Sequence, residues 1–166
     1  MKKQKGFSLI ELLIVVAIIL IIAAIAIPNL LRSRMAANEA SAVGSVRTLA
    51  TAEITYQTTS GSKDFTTLDV LGSQKLVDTV LACPEGTTMG SPCTKSGYKF
   101  GIDAPVDSGK FLIDARPVTV GETGNREFCA AEDAVVRFIS PSPEGSGNPG
   151  VPAIGSCTSE SSALQN

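Results

Sequence analysis

The sequence contains no histidine and no tryptophan, and only two of its 166 residues are tyrosines. Histidine is the commonest general base and transition-metal ligand in proteins, and no nucleophile–base pair is recognisable without it. Basic residues do not cluster beyond the extreme N-terminus, and the formal net charge is −2, which argues against binding to a phosphate backbone. We therefore expect a protein that is not an enzyme, with no catalytic residue, no cofactor, no metal site and no direct nucleic acid binding.

Hydrophobic residues make up 43% of the chain, but they are concentrated in one run near the N-terminus. Residues 1–6 are polar and basic, whereas residues 7–27 contain only two polar side chains, Ser8 and Glu11. As a helix, this run would span about 31 Å, the thickness of one hydrocarbon core. The lysines before it predict a cytoplasmic N-terminus and an exported C-terminal domain.

Three interpretations of this run compete. Ala24-Ile25-Ala26 has the small-x-small form of a signal peptidase site, although the run is longer than the apolar region of a typical signal peptide. A plain membrane anchor is the second interpretation. Neither a signal peptide nor a plain anchor explains Glu11, because a carboxylate inside a membrane helix costs about 2.5–3.5 kcal/mol on insertion scales. The helix dipole favours an acid in the first turn, but this does not explain the sixteen apolar residues that follow Glu11.

The third interpretation depends on the residues around Glu11. The sequence Gly6-Phe7-Ser8-Leu9-Ile10-Glu11, the basic leader before it and Pro28 after it resemble the N-terminal segment of type IV prepilins. The resemblance covers about Met1 to Leu49. It implies cleavage between Gly6 and Phe7 by a membrane-embedded prepilin peptidase, and N-methylation of Phe7. Cleavage would remove three of the 14 basic residues and leave a formal side-chain charge of −5.

Cleavage would also create an α-amine at Phe7, in or beside an apolar phase where an unpaired charge is costly. Glu11 follows four residues later and therefore lies on the same face of the helix. We expect Glu11 to neutralise a terminal amine during assembly, either that of a neighbouring subunit or that of its own chain. Pro28 lacks an amide proton and is expected to kink the helix.

The rest of the chain predicts one exported domain of class α+β. Apolar residues at spacings of three and four continue the helix to about Thr58, and period-2 alternation predicts four strands of an antiparallel meander. These strands lie near residues 97–102, 111–116, 126–130 and 134–139. The sequence Leu76–Leu81 is also compatible with a short helix. A long kinked N-terminal helix packed on a four-stranded antiparallel sheet is what the resemblance implies, the type IV pilin fold.

We expect four regions along the chain: a leader peptide at 1–6, a transmembrane or filament-core helix at 7–28, an amphipathic second half of the helix at 29–60, and a globular head with an αβ-loop and a C-terminal tail at 61–166. Four cysteines follow the apolar segment, which predicts two disulfides formed in an oxidising compartment. Of the three possible pairings, we expect Cys83–Cys93 and Cys129–Cys157, because each closes a local loop.

The resemblance implies the major structural subunit of a type IV pilus, which polymerises into a surface filament for adhesion, twitching motility or DNA uptake. Its partners would be copies of itself, the prepilin peptidase, an assembly platform with its ATPases, and minor pilins. The precursor would lie in the bacterial inner membrane and the mature protein in an extracellular filament. The alternatives are a pseudopilin of a type II secretion system, whose usual tryptophan motif and calcium loop we do not find, a minor pilin at the tip, and a membrane-anchored binding module that does not polymerise.

Overall fold

A single long helix dominates the N-terminal third of the protein. The structure, a computed structural model, describes residues 7–61, 64–82, 93–103, 109–139, 157 and 162–163. The helix α1 comprises Leu9–Ser60 and continues through Pro28. It ends before Gly61, whose φ of +68° is a left-handed conformation that glycine adopts at little steric cost. The end of the helix therefore lies where the sequence predicts it.

The chain divides into two units at Arg34 and Met35. In the first unit, the described residues belong to the start of α1, and almost all of their side chains are exposed. In the second unit, the remainder of α1 buries one face, and the other described residues form a head on it.

The head contains a six-stranded antiparallel sheet in which every strand pairs with the next along the chain. Its strands are β1 (Cys93–Lys95), β2 (Tyr98–Asp103), β3 (Leu112–Pro117), β4 (Glu127–Ala131), β5 (Arg137–Ile139) and β6 (Ser162–Ala163). The predicted α+β fold is confirmed, and the four predicted strands are β2 to β5. The sequence did not indicate β1 and β6, because strands of three and two residues are too short to show alternation.

The core of the head lies between α1 and one face of the sheet. Alternate residues of β2, β3 and β4 point to this face, as the pleat of a strand requires. The helix contributes small and medium-sized side chains, and the sheet contributes mainly aromatic ones. All are buried: Ala42, Val46, Leu49 and Ala50 from α1, and Tyr98, Phe100, Phe111, Ile113, Ala115, Phe128 and Ala130 from the sheet and its approaches. The predicted amphipathic second half of the helix is thus a wall of the core.

The connection between α1 and the sheet contains a second helix, α2, at Leu68–Ser73. The expectation of a helix at Leu76–Leu81 was wrong, since residues 74–82 form turns and bends. Lys75 has a φ of +56°, which a right-handed helix cannot accommodate. Leu68, Leu71 and Leu81 are buried and hold this connection against the core.

A disulfide joins Cys129 of β4 to Cys157, with 6.1 Å between the two Cα atoms. Both cysteines are buried and pack with Leu112 on the face of the sheet opposite to α1. This is the local pairing that we expected, and it ties the C-terminal region to the sheet. Cys83 lies outside the described residues, so its pairing with Cys93 stays a prediction; Cys93 itself is buried at the start of β1.

Candidate functional site

A continuous apolar surface covers the first unit of the chain. The large apolar side chains between Phe7 and Leu31 are 46–81% exposed, and no other residue that the structure describes covers them. Soluble monomers seldom leave so large an apolar patch in water. By length and composition alone, α1 is also able to cross a membrane. This segment therefore requires an apolar environment, which lipid or the helices of other protein molecules can supply.

Glu11 has a structural role at the start of α1. Ser8 directly precedes the first helical residue, and its backbone N–H donates a hydrogen bond to Oε2 of Glu11 over 3.2 Å. The spacing Ser-x-x-Glu is that of a capping box, in which the acid satisfies a backbone donor that the helix leaves unpaired. The sequence contains this signal, but sequence reasoning credited Glu11 only with a dipole interaction or a role in assembly.

The cap occupies only one of the two carboxylate oxygens. Glu11 and Phe7 are both exposed, and Oε1 of Glu11 forms no hydrogen bond within the described part of the chain. A cation can therefore approach Oε1 while Oε2 continues to cap the helix. Gly6 lies outside the described residues. Pro28 is exposed inside α1, and the kink at this position stays a prediction.

The comparisons with known proteins bear on this same segment. A family model described as the prokaryotic N-terminal methylation motif matches residues 1–27. Over 39 residues the chain is 64% identical to the type IV wide pilus major component PilA4 of Thermus thermophilus. At its N-terminus the chain is thus similar to a type IV pilin. The matched stretch covers 24% of this chain and only 30% of that relative, and no solved structure matches the chain.

Beyond the matched segment, Glu39 joins α1 to the connection between β3 and β4. We call residues 118–126 of that connection the 118–126 loop. Arg126 donates to Oε2 of Glu39 from Nη2 over 2.6 Å and from Nε over 2.9 Å, and the Asn125 N–H donates to Oε1 over 2.9 Å. One residue before Glu39, the side-chain amide of Asn38 donates to the carbonyl of Thr123 over 2.9 Å.

Tyr98 supports the same loop from inside the core. Its side chain is fully buried, and its hydroxyl donates to the carbonyl of Arg126 over 2.9 Å. Burial raises the pKa of the Tyr98 phenol, and the negative charge of Glu39 raises it further, so the group stays a donor at physiological pH. Sequence reasoning assigned Glu39 to a polar helix face and missed this contact, because its partners lie more than 80 residues away.

The described residues offer no evident metal site. No three Asp, Glu or Cys side chains within them come together in a way that could hold a metal ion. The described part of the chain thus provides an apolar helical segment that needs a partner, and a head that packs and hydrogen-bonds on the second half of the same helix.

We expect Glu39 and Arg126 to be coupled by about 1–2 kcal/mol in a double-mutant cycle for unfolding, since their contact is charge-assisted and shielded on the Glu39 side. The variants are Glu39→Gln, Arg126→Met and their combination, measured by denaturant unfolding of the full chain in detergent. The pair Lys95–Asp78, whose Nζ and Oδ2 atoms are also only 2.9 Å apart but whose carboxylate side chain is 52% exposed, is the control, with an expected coupling below about 0.5 kcal/mol. Equal coupling in the two cycles would contradict the importance of burial.

Proposed function

We propose that this protein is the major structural subunit of a type IV pilus. It is made as a prepilin, held in the bacterial inner membrane by the apolar segment and then assembled into an extracellular filament. The single observation that carries the proposal is the exposed apolar surface between Phe7 and Leu31, on an N-terminus that matches the methylation motif. Lipid covers this surface before assembly, and the equivalent helices of other copies cover it in the filament.

The same N-terminal segment contains the proposed sites of proteolytic cleavage and N-methylation. Prepilin peptidase cuts between Gly6 and Phe7, and the new terminus at Phe7 is N-methylated. The match of residues 1–27 to the methylation motif supports both steps. Phe7 is 81% exposed and lies two residues before the start of α1, so its side of the junction is open to an enzyme that works in the membrane.

Glu11 pairs with the α-amine of a neighbouring subunit as that subunit enters the filament. The free Oε1 atom can accept the amine while Oε2 still caps the helix. An uncompensated amine inside the apolar filament core would be very costly, so the pair selects the axial position at which each new copy stops. The filament serves adhesion, twitching motility or DNA uptake, and the assembly platform, its ATPases and minor pilins act on the subunit without chemistry from its own residues.

The N-terminus of the assembled protein tests the processing. We expect protein recovered from sheared surface filaments to begin at N-methylated Phe7, as shown by intact mass and N-terminal sequencing. A chain that begins at Phe7 but remains in the membrane would overturn the pilus proposal and favour a pseudopilin or a module that does not assemble. A chain that begins after Ala26 would identify the segment as an ordinary signal peptide.

Two substitutions separate the charge of Glu11 from its role in the cap. Glu11→Gln keeps an acceptor for the Ser8 N–H but removes the charge, whereas Glu11→Val removes both. If the charge pairs with an amine, both variants should be exported and cleaved, and both should lower the yield of sheared filaments by about tenfold or more, because one unpaired buried charge remains per subunit. Normal filaments from Glu11→Gln alongside few from Glu11→Val would show that the cap, and not the charge, is what assembly needs.

A further inference from the structure

Charges are distributed unevenly between the two units of the protein. Residues 7–34 carry two arginines, Arg32 and Arg34, and one acid, whereas residues 35–166 carry 9 basic and 15 acidic side chains, a formal net charge of −6. Both arginines are exposed, and neither forms an ion pair with any residue that the structure describes. They directly follow Leu30 and Leu31, which are 69% and 51% exposed. A basic and apolar stretch at residues 30–34 is therefore left without a partner among the described residues.

Backbone hydrogen bonds, within the loop and to Gly97, hold the 118–126 loop in place. The N–H of Val118 donates to the Gly97 carbonyl over 2.9 Å, the N–H of Gly121 to the Gly124 carbonyl over 3.0 Å, and the N–H of Thr123 to the Thr119 carbonyl over 3.0 Å. Gly121 has a φ of +86°, a value that glycine permits and that turns the chain back on itself. Together with the contacts of Asn38 and Glu39 to this loop, these bonds fix the loop on α1.

The tip of this ordered loop presents two side chains that the head itself does not use. Val120 is 52% exposed, and Glu122 is exposed without an ion pair in the described part of the chain. A rigid surface loses little conformational entropy on binding, which is why preorganised apolar residues beside a charge are effective in interfaces. The tip of the 118–126 loop thus has the composition of a docking surface.

The two unpartnered surfaces are complementary to each other. One offers leucines beside positive charge and the other offers a valine beside negative charge. Arg32 and Arg34 are separated by roughly 200° around the helix, so only one of them can face a given loop. Like or opposite charges across an interface decide which partner binds and in which register.

We propose that the tip of the 118–126 loop, through Val120 and Glu122, docks on residues 30–34 of a second copy of the chain. Glu122 pairs with Arg32 or Arg34, and Val120 packs against Leu30 or Leu31. This contact rests on the proposed function, since a filament brings the helix of one copy beside the head of another. It adds a contact outside the apolar core, one in which charge selects the register between copies.

Charge reversal and rescue test the contact. Glu122→Lys alone places like charges together and should lower the yield of sheared filaments by about tenfold. Two double variants test the rescue: Glu122→Lys with Arg32→Glu, and Glu122→Lys with Arg34→Glu. We expect one of them, the one at the arginine that faces Glu122, to recover the yield. The matched control is Glu132→Lys, which reverses another exposed head carboxylate and should leave the yield unchanged. Unaltered yield from Glu122→Lys, or rescue by neither arginine variant, would overturn the contact.

A photoreactive amino acid at position Val120 provides a second measurement that does not depend on yield. Irradiated filaments should contain dimers in which position 120 is linked to a peptide within residues 27–36 of another copy, as mapped by mass spectrometry. Links to lipid alone, or to other regions of a copy, would overturn the contact. Filaments of the unmodified protein serve as the reference: their absence would refute the proposed function, whereas their presence without this cross-link would refute only the contact.

Discussion

Gly124→Ala is expected to destabilise the head by about 3 kcal/mol, the upper part of the range for overpacking a core. A Cβ atom at this position would lie 2.0 Å from the hydroxyl oxygen of Tyr98 and 2.7 Å from its Cζ atom. The ring cannot move away easily, because it is fully buried in the core and its hydroxyl is bonded to the carbonyl of Arg126. The substitution therefore has to displace either the aromatic ring or the 118–126 loop.

Gly44→Ala is the matched control for this prediction. Gly44 lies inside α1, and a Cβ atom there would meet nothing within 4 Å. Alanine should stabilise the helix at this position by roughly 0.5–1 kcal/mol. Denaturant unfolding of the two variants in detergent should give shifts of opposite sign. Removing the hydroxyl of the tyrosine in the double variant Gly124→Ala/Tyr98→Phe should recover part of the loss, and an unchanged unfolding midpoint for Gly124→Ala would show that the ring has room to move.

The stability of the head is expected to fall as the pH rises from about 5 to about 7, because of Glu53. This side chain of α1 is fully buried; its Oε2 accepts a hydrogen bond from the Thr66 N–H over 3.0 Å, and Oε1 has no hydrogen-bond partner among the described residues. Burial raises the pKa of Glu53 from 4.5 to about 7, although the Thr66 N–H opposes the shift. The folded protein therefore favours the neutral acid.

The direction of the effect follows from proton binding. Between pH 4.5 and 7 the folded state holds a proton on Glu53 that the unfolded state has released, so raising the pH favours unfolding. The loss amounts to at most about 3 kcal/mol and levels off above pH 7. Hydrogen-bonded ion pairs with Lys95 and Arg137 lower the pKa values of Asp78 and Asp133. These two carboxyl groups therefore change the stability of the head only at a pH below this range.

Glu53→Gln should remove this dependence. Glutamine keeps an acceptor for Thr66 but cannot ionise, so the variant should be more stable than the unmodified protein at pH 8 and similar to it at pH 5. The measurement is clear because the chain has no histidine, which leaves few other groups to titrate in this range. Glu122→Gln, at an exposed position, serves as the control and should leave the slope unchanged. A persistent slope in Glu53→Gln would assign the effect to another group.

The elements that the sequence predicts well are those whose cause is local. Helical spacing up to Thr58 and alternation in β2 to β5 are visible because each pattern repeats several times within one segment. The resemblance of the N-terminus to that of prepilins is visible for a similar reason, since the predicted cleavage junction and Glu11 lie within a few residues of each other. Even the cap at Ser8 could have been found, because its Ser-x-x-Glu spacing is local.

What could not be predicted depends on partners that are distant in sequence. Glu39 resembles a solvated residue of an amphipathic helix until the fold brings Arg126 beside it. Glu53 likewise looks exposed in the sequence, but the turn after α1 brings Thr66 over it and excludes water. A sequence shows which residues are polar, and only the tertiary arrangement shows which of them are removed from water.

The disulfide between Cys129 and Cys157 affects how freely the length of the segment before Cys157 can vary. Residues 140–156 begin where β5 ends and finish at a cysteine bonded to β4, so both ends of this stretch are attached to neighbouring strands. Each doubling of the length of such a closed segment costs only about 0.6 kcal/mol, and the sheet does not need to shift to accommodate it. The two strands therefore set where this stretch starts and stops, whatever the number of residues between them.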